Sequence, residues 1–273
     1  MISEGVNAYL KLCTRSKRIH HHCSVGCATH RCSHRNPNLG QIPSDEAFRA
    51  LFSSTPGFYM VGADLAGIEL RMLAHYLARY DGGKYADIIL NGDIHAENAK
   101  KVGVSRKQIK TISYAFLYGA GNQKLGTSFD ASLGEEAAKR KGQEIRAAYV
   151  DAIEGLSDLL KAVKRASERG YVRAIDGRYL SVDKGHVALN YLIQGSSAVI
   201  AKRWMIHTHE KLPESTHQLA FVHDELQFEA EEKDIKDLMF TLEHSALTAG
   251  EYYKLRIPIA AEAKSGSNWA DVH

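Results

Sequence analysis

The stretch QLAFVHDELQFEA (218–230) reads as two apolar strands folded around a polar tip, His223-Asp224-Glu225. Upstream, FYMVGADLA (58–66) reads as a third, buried strand that carries Asp64 and runs into a helix, IELRMLAHYLARY. A chain built on these strands has to place carboxylates at the edge of an apolar sheet. That is costly unless something offsets their charge. A divalent cation is the natural partner, and hard oxygen ligands favour magnesium over zinc. Asp64 and Asp224 sharing two ions about 3.5–4 Å apart would form the clamp used for in-line phosphoryl transfer. The same positions suit Asp as a turn cap, and spacing alone leaves both readings open.

The rest of the chain supplies helices for this sheet. A helix is expected over 105–118, opened by Ser105 as N-cap and stopped by Gly119 and Gly121. A long amphipathic helix follows over about 134–168. The segment YVRAIDGRYLSVD reads as a hairpin with Asp176-Gly177 at its turn. Helices over about 186–211 and 231–249 and a strand over 256–262 complete an α+β pattern, a small antiparallel sheet with helices packed on it.

The 273 residues, 44% hydrophobic and 25% charged, suit one large domain or two closely packed ones. No run of about 18 apolar residues occurs, so no membrane span is expected. MISEGVNAYLKL lacks the sections of a secretory signal, which points to the cytoplasm, the host's if a phage encodes the chain. The net charge of +3 is too mild to diagnose a polyanionic partner, but basic residues cluster in the first 50 positions and over 100–110. The four cysteines (Cys13, Cys23, Cys27, Cys32) sit among histidines without paired C-x-x-C spacing. They read as reduced thiols rather than a zinc site.

Arg106, Lys110, Tyr114 and Tyr118 recur every fourth residue and so share one face of the 105–118 helix, about 6 Å apart along its axis. Two cations followed by two aromatics match a triphosphate followed by its sugar and base. A solvated amphipathic face has the same pattern. Asn190 and Gln194 share a face of an otherwise apolar helix. Their amides are either satisfied internally or donate to the acceptors common to all base pairs in the minor groove.

Taken together the motifs resemble the family A (DNA polymerase I-type) DNA polymerases, most closely the phage replicative kind. The resemblance runs in order through THRCSHRNPNLGQIP (29–43), DLAGIELR (64–71), GDIHAENA (92–99), RKQIKTISYAFLYGAG (106–121), DGR (176–178), ALNYLIQG (188–195), VHDEL (222–226) and SGSNWADVH (265–273). It implies a polymerase palm (a small antiparallel sheet with helices) over 1–90 and 171–273, and helical fingers over 91–170. It implies that Asp64, Asp224 and the carbonyl of Leu65 hold two Mg2+ ions, with Glu225 as a supporting acid. Arg106, Lys110 and His95 would hold the triphosphate, and Lys110 would protonate the leaving pyrophosphate. Glu69 and Tyr114 would enclose the sugar, Glu69 excluding a 2′-hydroxyl. Tyr114 in place of Phe goes with weak rejection of dideoxynucleotides, and Tyr118 would lie beside the nascent pair. Arg31, Asn190, Gln194 and His223 match residues on the primer–template minor groove and primer end, and Arg49 and Arg178 match backbone contacts.

Two departures stand out: His30 and Ala115 occupy positions where the family more often has Gly. MISEGVNAYLKL resembles the return of the thumb to the palm, so the resemblance predicts no proofreading exonuclease and little thumb. The expected partners are primer–template DNA, deoxynucleoside triphosphates, and a separate thumb/exonuclease polypeptide or processivity factor. A truncated primer–template-binding remnant and a relative of the single-subunit RNA polymerases are the alternatives. Intact Asp64, Lys110 and Asp224 argue against the first and Glu69 against the second.

Overall fold

The strand β3 (Tyr59–Leu65) organises the larger sheet of the protein, whose computed structural model describes residues 9–273. Two short hairpin strands, β1 (His22–Ser24) and β2 (Ser33–Arg35), precede it. Another hairpin, β4 (Tyr171–Arg173) and β5 (Tyr179–Ser181), lies in the middle of the chain. The remaining strands are β6 (His217–Val222), β7 (Glu225–Ala230) and β8 (Ala261–Gly266). The main sheet is antiparallel with the order β6-β7-β3-β8, as the α+β reading requires.

Two compact units emerge. Unit 1 comprises 9–68, 197–253 and 258–273, and holds the four-stranded sheet; unit 2 comprises 69–196 and 254–257 and is largely helical. Their limits, 68/69 and 196/197, fall inside the helices Ile68–Asp81 and Ala188–His209. The partition expected from the motifs divides instead at 90/91 and 170/171.

Within unit 1 the sheet has two different faces. Val61, Ala63 and Leu65 alternate with Met60, Gly62 and Asp64, and their partners on β7 alternate likewise. One face joins Leu226 and Phe228 to the first set, and the buried Leu238, Leu242 and Ala246 belong to the adjoining helix Ile235–Tyr252. Trp204, fully buried, donates its indole N–H to the Leu242 carbonyl at 2.8 Å. The other face of β7 carries Glu225, Gln227 and Glu229, all buried. Glu229 is matched by Arg18 at 2.7 Å and by Thr55. The sequence suggests an apolar β7; the strand is in fact apolar on one side only, and its polar side is roofed by other segments.

Within unit 2, Ser105 and Gln108 form a reciprocal capping box that starts the helix Arg106–Leu117, and Gly119 follows it at φ 75°. The expected long helix over 134–168 is two helices, Glu135–Ala152 and Leu156–Ser167. Gly155 separates them at φ 80°, and a Cβ there would lie 2.6 Å from Cβ of Tyr80. Periodicity continues across the break because both helices face one core, while the turn needs a residue without a side chain. The strand expected over 256–262 begins only at Ala261. Its register with β3 starts at the Leu65–Ala261 pair, and Pro258 has no N–H to give a ladder.

The helices Asn122–Phe129 and Glu135–Ala152 touch backbone to backbone. A Cβ on Gly142 would fall 1.7 Å from the Asn122 carbonyl oxygen, and one on Gly126 would fall 1.9 Å from that of Ala138. Substituting Gly142→Ala therefore forces these helices apart and is expected to cost about 1–3 kcal/mol. Thermal denaturation followed by circular dichroism checks this; an unchanged midpoint would mean that the close approach is not maintained in solution.

Candidate active site

Asp64 stands opposite Glu225 in the β3–β7 ladder, so both carboxylates project from the same face of the sheet. His273 joins them, its Nδ1 3.6 Å from Asp64 Oδ2 and 3.4 Å from Glu225 Oε2. One ligand atom from each of the three lies within 4.8 Å of the others. Burial, then the charge of Glu225, pushes Asp64 up to about 7, against the pull of Arg49 and Lys264. Burial likewise raises Glu225, against donors from Trp269 and Gln227. Crowded carboxylates that resist ionisation fit a divalent cation, which would favour the charged form of both. The donor set, carboxylate oxygens with one imidazole, suits such an ion.

Glu225 is held by one oxygen. Trp269 Nε1 and Gln227 Nε2 both donate to Oε1, which leaves Oε2 to face Asp64 and His273. Arg49, on the helix Glu46–Arg49, rests against the Trp269 ring at 5.9 Å, and its charge lowers the pKa of both acids. Its Nε and Nη1 are buried without a hydrogen-bond partner.

Asp224 and His223 form the two-residue turn between β6 and β7. The carbonyl of Asp224 accepts the Leu65 N–H at 3.0 Å, which ties the turn to the end of β3 beside Asp64, and its charge raises Glu225. His223 has φ 57°, a left-handed conformation that costs a non-glycine residue about 1–2 kcal/mol and recurs at functional sites. Its ring packs on Gly40, where a Cβ would meet Nε2 at 3.1 Å. Arg31 is half-buried and follows His30, which has φ 57° and whose carbonyl accepts from Lys202 Nζ. That conformation is the one glycine favours, which accounts for the glycine in the motif it resembles.

The second group belongs to unit 2. Arg106 Nε donates to Asp93 Oδ2 at 2.6 Å, while the other oxygen of Asp93 caps the helix Ile94–Val102 through the His95 and Ala96 N–H groups. Lys110 is exposed one turn further on. Burial, then the charges of Arg106 and Lys110, lowers His95, so its imidazole is held neutral. The His95 ring lies 6.3 Å from Tyr114, and Tyr114 stacks with Tyr118 at 6.4 Å and 25°. Tyr118 donates its hydroxyl to Glu69 Oε1 at 2.8 Å, and Glu69 is only 5% exposed. The face thus runs from two cations through a neutral imidazole and two rings to a buried carboxylate.

The remaining candidates have local partners. Asn190 Nδ2 donates to the Leu117 carbonyl at 2.9 Å, so at least that amide group is satisfied internally. Gln194 is half-buried one turn later on the same helix. Arg178 Nε donates to Asp176 Oδ2 at 2.6 Å. Sequence reasoning gave no role to Trp269, Gln227 or His273. The segment SGSNWADVH (265–273) belongs to the resemblance, and only the fold shows that it reaches Glu225. Among the described residues, Asp64, Glu225 and His273 are the group whose ligand atoms lie within 4.8 Å of one another.

Comparison with known proteins identifies the family. Residues 1–271 match the family described as DNA polymerase family A. The DNA-directed DNA polymerase of Enterobacteria phage T3 is 31% identical over 99% of this chain and 43% of its own length; that of Escherichia phage T7 has the same identity and coverage. DNA polymerase I of Rhizobium leguminosarum is 30% identical over 94% of this chain and 28% of its own. Among solved structures, the POL domain of Pol1 from M. smegmatis, in complex with DNA primer-template and dNTP, superposes with a TM-score of 0.83 at 26% identity. That match covers 99% of this chain and 51% of the other. The chain therefore spans less than half the length of the phage relatives, and no described helix is long and apolar enough to cross a membrane. Both the carboxylate-bearing sheet and the cation–tyrosine helix lie inside the matched region, and the chain belongs to the DNA polymerase family A.

Proposed function

We propose that this chain carries out DNA-templated DNA synthesis, adding deoxynucleotides to a primer 3′-hydroxyl. The observation that carries this reading is the Asp64–Glu225 pair, crowded on one sheet edge beside the Asp224 turn, in a family A chain. Asp64, Asp224 and the Leu65 carbonyl are the proposed holders of two Mg2+ ions, with Glu225 and His273 beside them. Such ions supply Lewis-acid activation of the 3′-hydroxyl and charge neutralisation on the phosphates. Primer–template DNA and deoxynucleoside triphosphates are the proposed partners, as in the complex of the structural relative.

The chain's own residues supply binding and proton transfer. Arg106 and Lys110 hold the β- and γ-phosphates by charge-assisted hydrogen bonds. The bond to Asp93 uses Arg106 Nε, and the guanidinium has further N–H donors to offer the phosphate. Lys110 gives a proton to the departing pyrophosphate as general acid. Neutral His95 offers an N–H to the triphosphate without adding to the local positive charge. Glu69, fixed by the Tyr118 hydroxyl, fills the space a 2′-hydroxyl would need, and Tyr114 covers the sugar. Arg31, Asn190, Gln194 and His223 are proposed to face the minor groove and primer end, and Arg49 and Arg178 the backbone. The 1–90 and 171–273 segments would serve as palm and 91–170 as fingers.

Primer extension on a defined template tests the reading. Asp64→Ala is expected to lower single-turnover incorporation by roughly a hundredfold or more, with primer–template affinity nearly unchanged. Incorporation that survives the substitution would remove Asp64 from the chemistry. A wild-type chain that binds primer–template yet adds no nucleotide would sink the activity. Glu69→Ala is expected to raise ribonucleotide over deoxynucleotide incorporation by roughly tenfold or more, and Tyr118→Phe by less, because Glu69 keeps its burial but loses its tether. Equal discrimination in all three proteins would mean that Glu69 does not border the sugar.

A further inference from the structure

Unit 2 contains a second charged feature that none of this chemistry uses. A cavity of ≈ 350 Å³ opens among the helices Ile68–Asp81 and Leu156–Ser167, the β4–β5 hairpin and the segment 254–257. Four arginines line it: Arg79, Arg169, Arg173 and Arg256. Among the described residues, none of the four forms an ion pair with a carboxylate within 4.0 Å. The nearby Asp176 is taken by Arg178, at 2.6 Å. His75, in the same wall, is pushed down to about 4 by burial and then by Arg256 and Arg79, and its Nδ1 accepts the Arg256 backbone N–H at 3.2 Å. All four arginines are exposed, and like charges gathered around one cavity attract an anionic ligand.

Aromatic rings are interleaved with these charges. Tyr171 lines the cavity and meets Tyr179 edge-on, with centroids 4.4 Å apart. Arg173 lies 5.0 Å from the Tyr179 centroid and donates to its hydroxyl at 2.8 Å. Tyr179 is 56% exposed, so the ledge continues out of the cavity onto the surface of β5. Guanidinium forks match phosphate geometry, and exposed rings accept any base. A mononucleotide would use the cavity but not the ledge, and an acidic peptide would leave the rings without a flat partner.

We propose that this cavity and ledge bind single-stranded nucleic acid, with phosphodiesters on Arg79, Arg169 and Arg256 and bases on Tyr171 and Tyr179. The strand has two sources, the unpaired template ahead of the primer or a strand displaced from the duplex. Only the first of these rests on the templated synthesis proposed above.

Fluorescence anisotropy with the full chain decides the matter, using a labelled oligo(dT), a blunt hairpin duplex, the same duplex with a 5′ template overhang, and one with a 5′ flap. The R79A/R256A double variant is expected to bind oligo(dT) roughly tenfold more weakly at low salt, with the slope of log affinity against log salt reduced by about 1.4. Its affinity for the blunt duplex stays the same. Tyr179→Ala is expected to lose roughly fivefold or more, and R79K/R256K to recover most of the affinity. An overhang-specific loss assigns the template and a flap-specific loss the displaced strand. Oligo(dT) affinity equal in wild type and a folded R79A/R256A variant overturns the site. Polyglutamate binding that depends on Arg79 and Arg256 while oligo(dT) binding does not would overturn it in favour of a protein partner. A wild-type chain that extends no primer yet shows the arginine-dependent binding loses the polymerase reading and keeps this one. The reverse result does the opposite.

Discussion

The register between β3 and β7 is the constraint on which the carboxylate cluster depends. With Asp64 opposite Glu225, the pairs Gly62–Gln227 and Met60–Glu229 follow on the same face. A slip of one residue would turn Asp64 into the apolar side and bring Val61 or Ala63 out. The close approach at Gly62 helps hold this register: a Cβ there would collide with the Gln227 amide at 2.6 Å and with Val272 at 2.8 Å. Gln227 in turn donates to Glu225, so the position that has no side chain makes room for the residue that aims the acid. Trp269 adds the second donor and sits in an apolar cluster with Met60, Val222 and Leu39. The acid site and this apolar cluster are in this way one structure.

Charge compensation is handled differently in the two units. In unit 1 the acids are crowded and partly buried, and the cations in reach, Arg49 and Lys264, offset only part of their repulsion. In unit 2 the excess is positive. Arg106 is parked on Asp93, Lys110 stands in solvent, and the arginine-lined cavity has no acid of its own. Buried acids without a full counter-charge, and exposed cations gathered together, both mark where an outside ion or ligand contributes most.

Much of the fold can be read from local rules. The Ser105 cap, the glycine after Tyr118, the 188–209 helix and the His223-Asp224 turn all follow from capping, turn chemistry and periodicity, because each depends on neighbours within a few residues. The break at Gly155 and the start of β8 at Ala261 do not. The first answers to Tyr80 on another helix and the second to the pairing partner Leu65.

The candidate site divides in the same way. The four-residue repeat of Arg106, Lys110, Tyr114 and Tyr118 has to share a helix face whatever surrounds it, and Asp64 has to end an apolar strand; the sequence alone determined both. Whether Tyr118 reaches Glu69, whether the Asn190 amide finds the Leu117 carbonyl, and which oxygen of Glu225 is tethered were decided only by the tertiary structure. Trp269 is 44 residues from Glu225 in the chain, and no periodicity links them. Their bond exists because the chain after β8 turns back across the polar side of the sheet. A hydrogen bond between distant side chains is a property of packing, and packing is what a linear pattern does not carry.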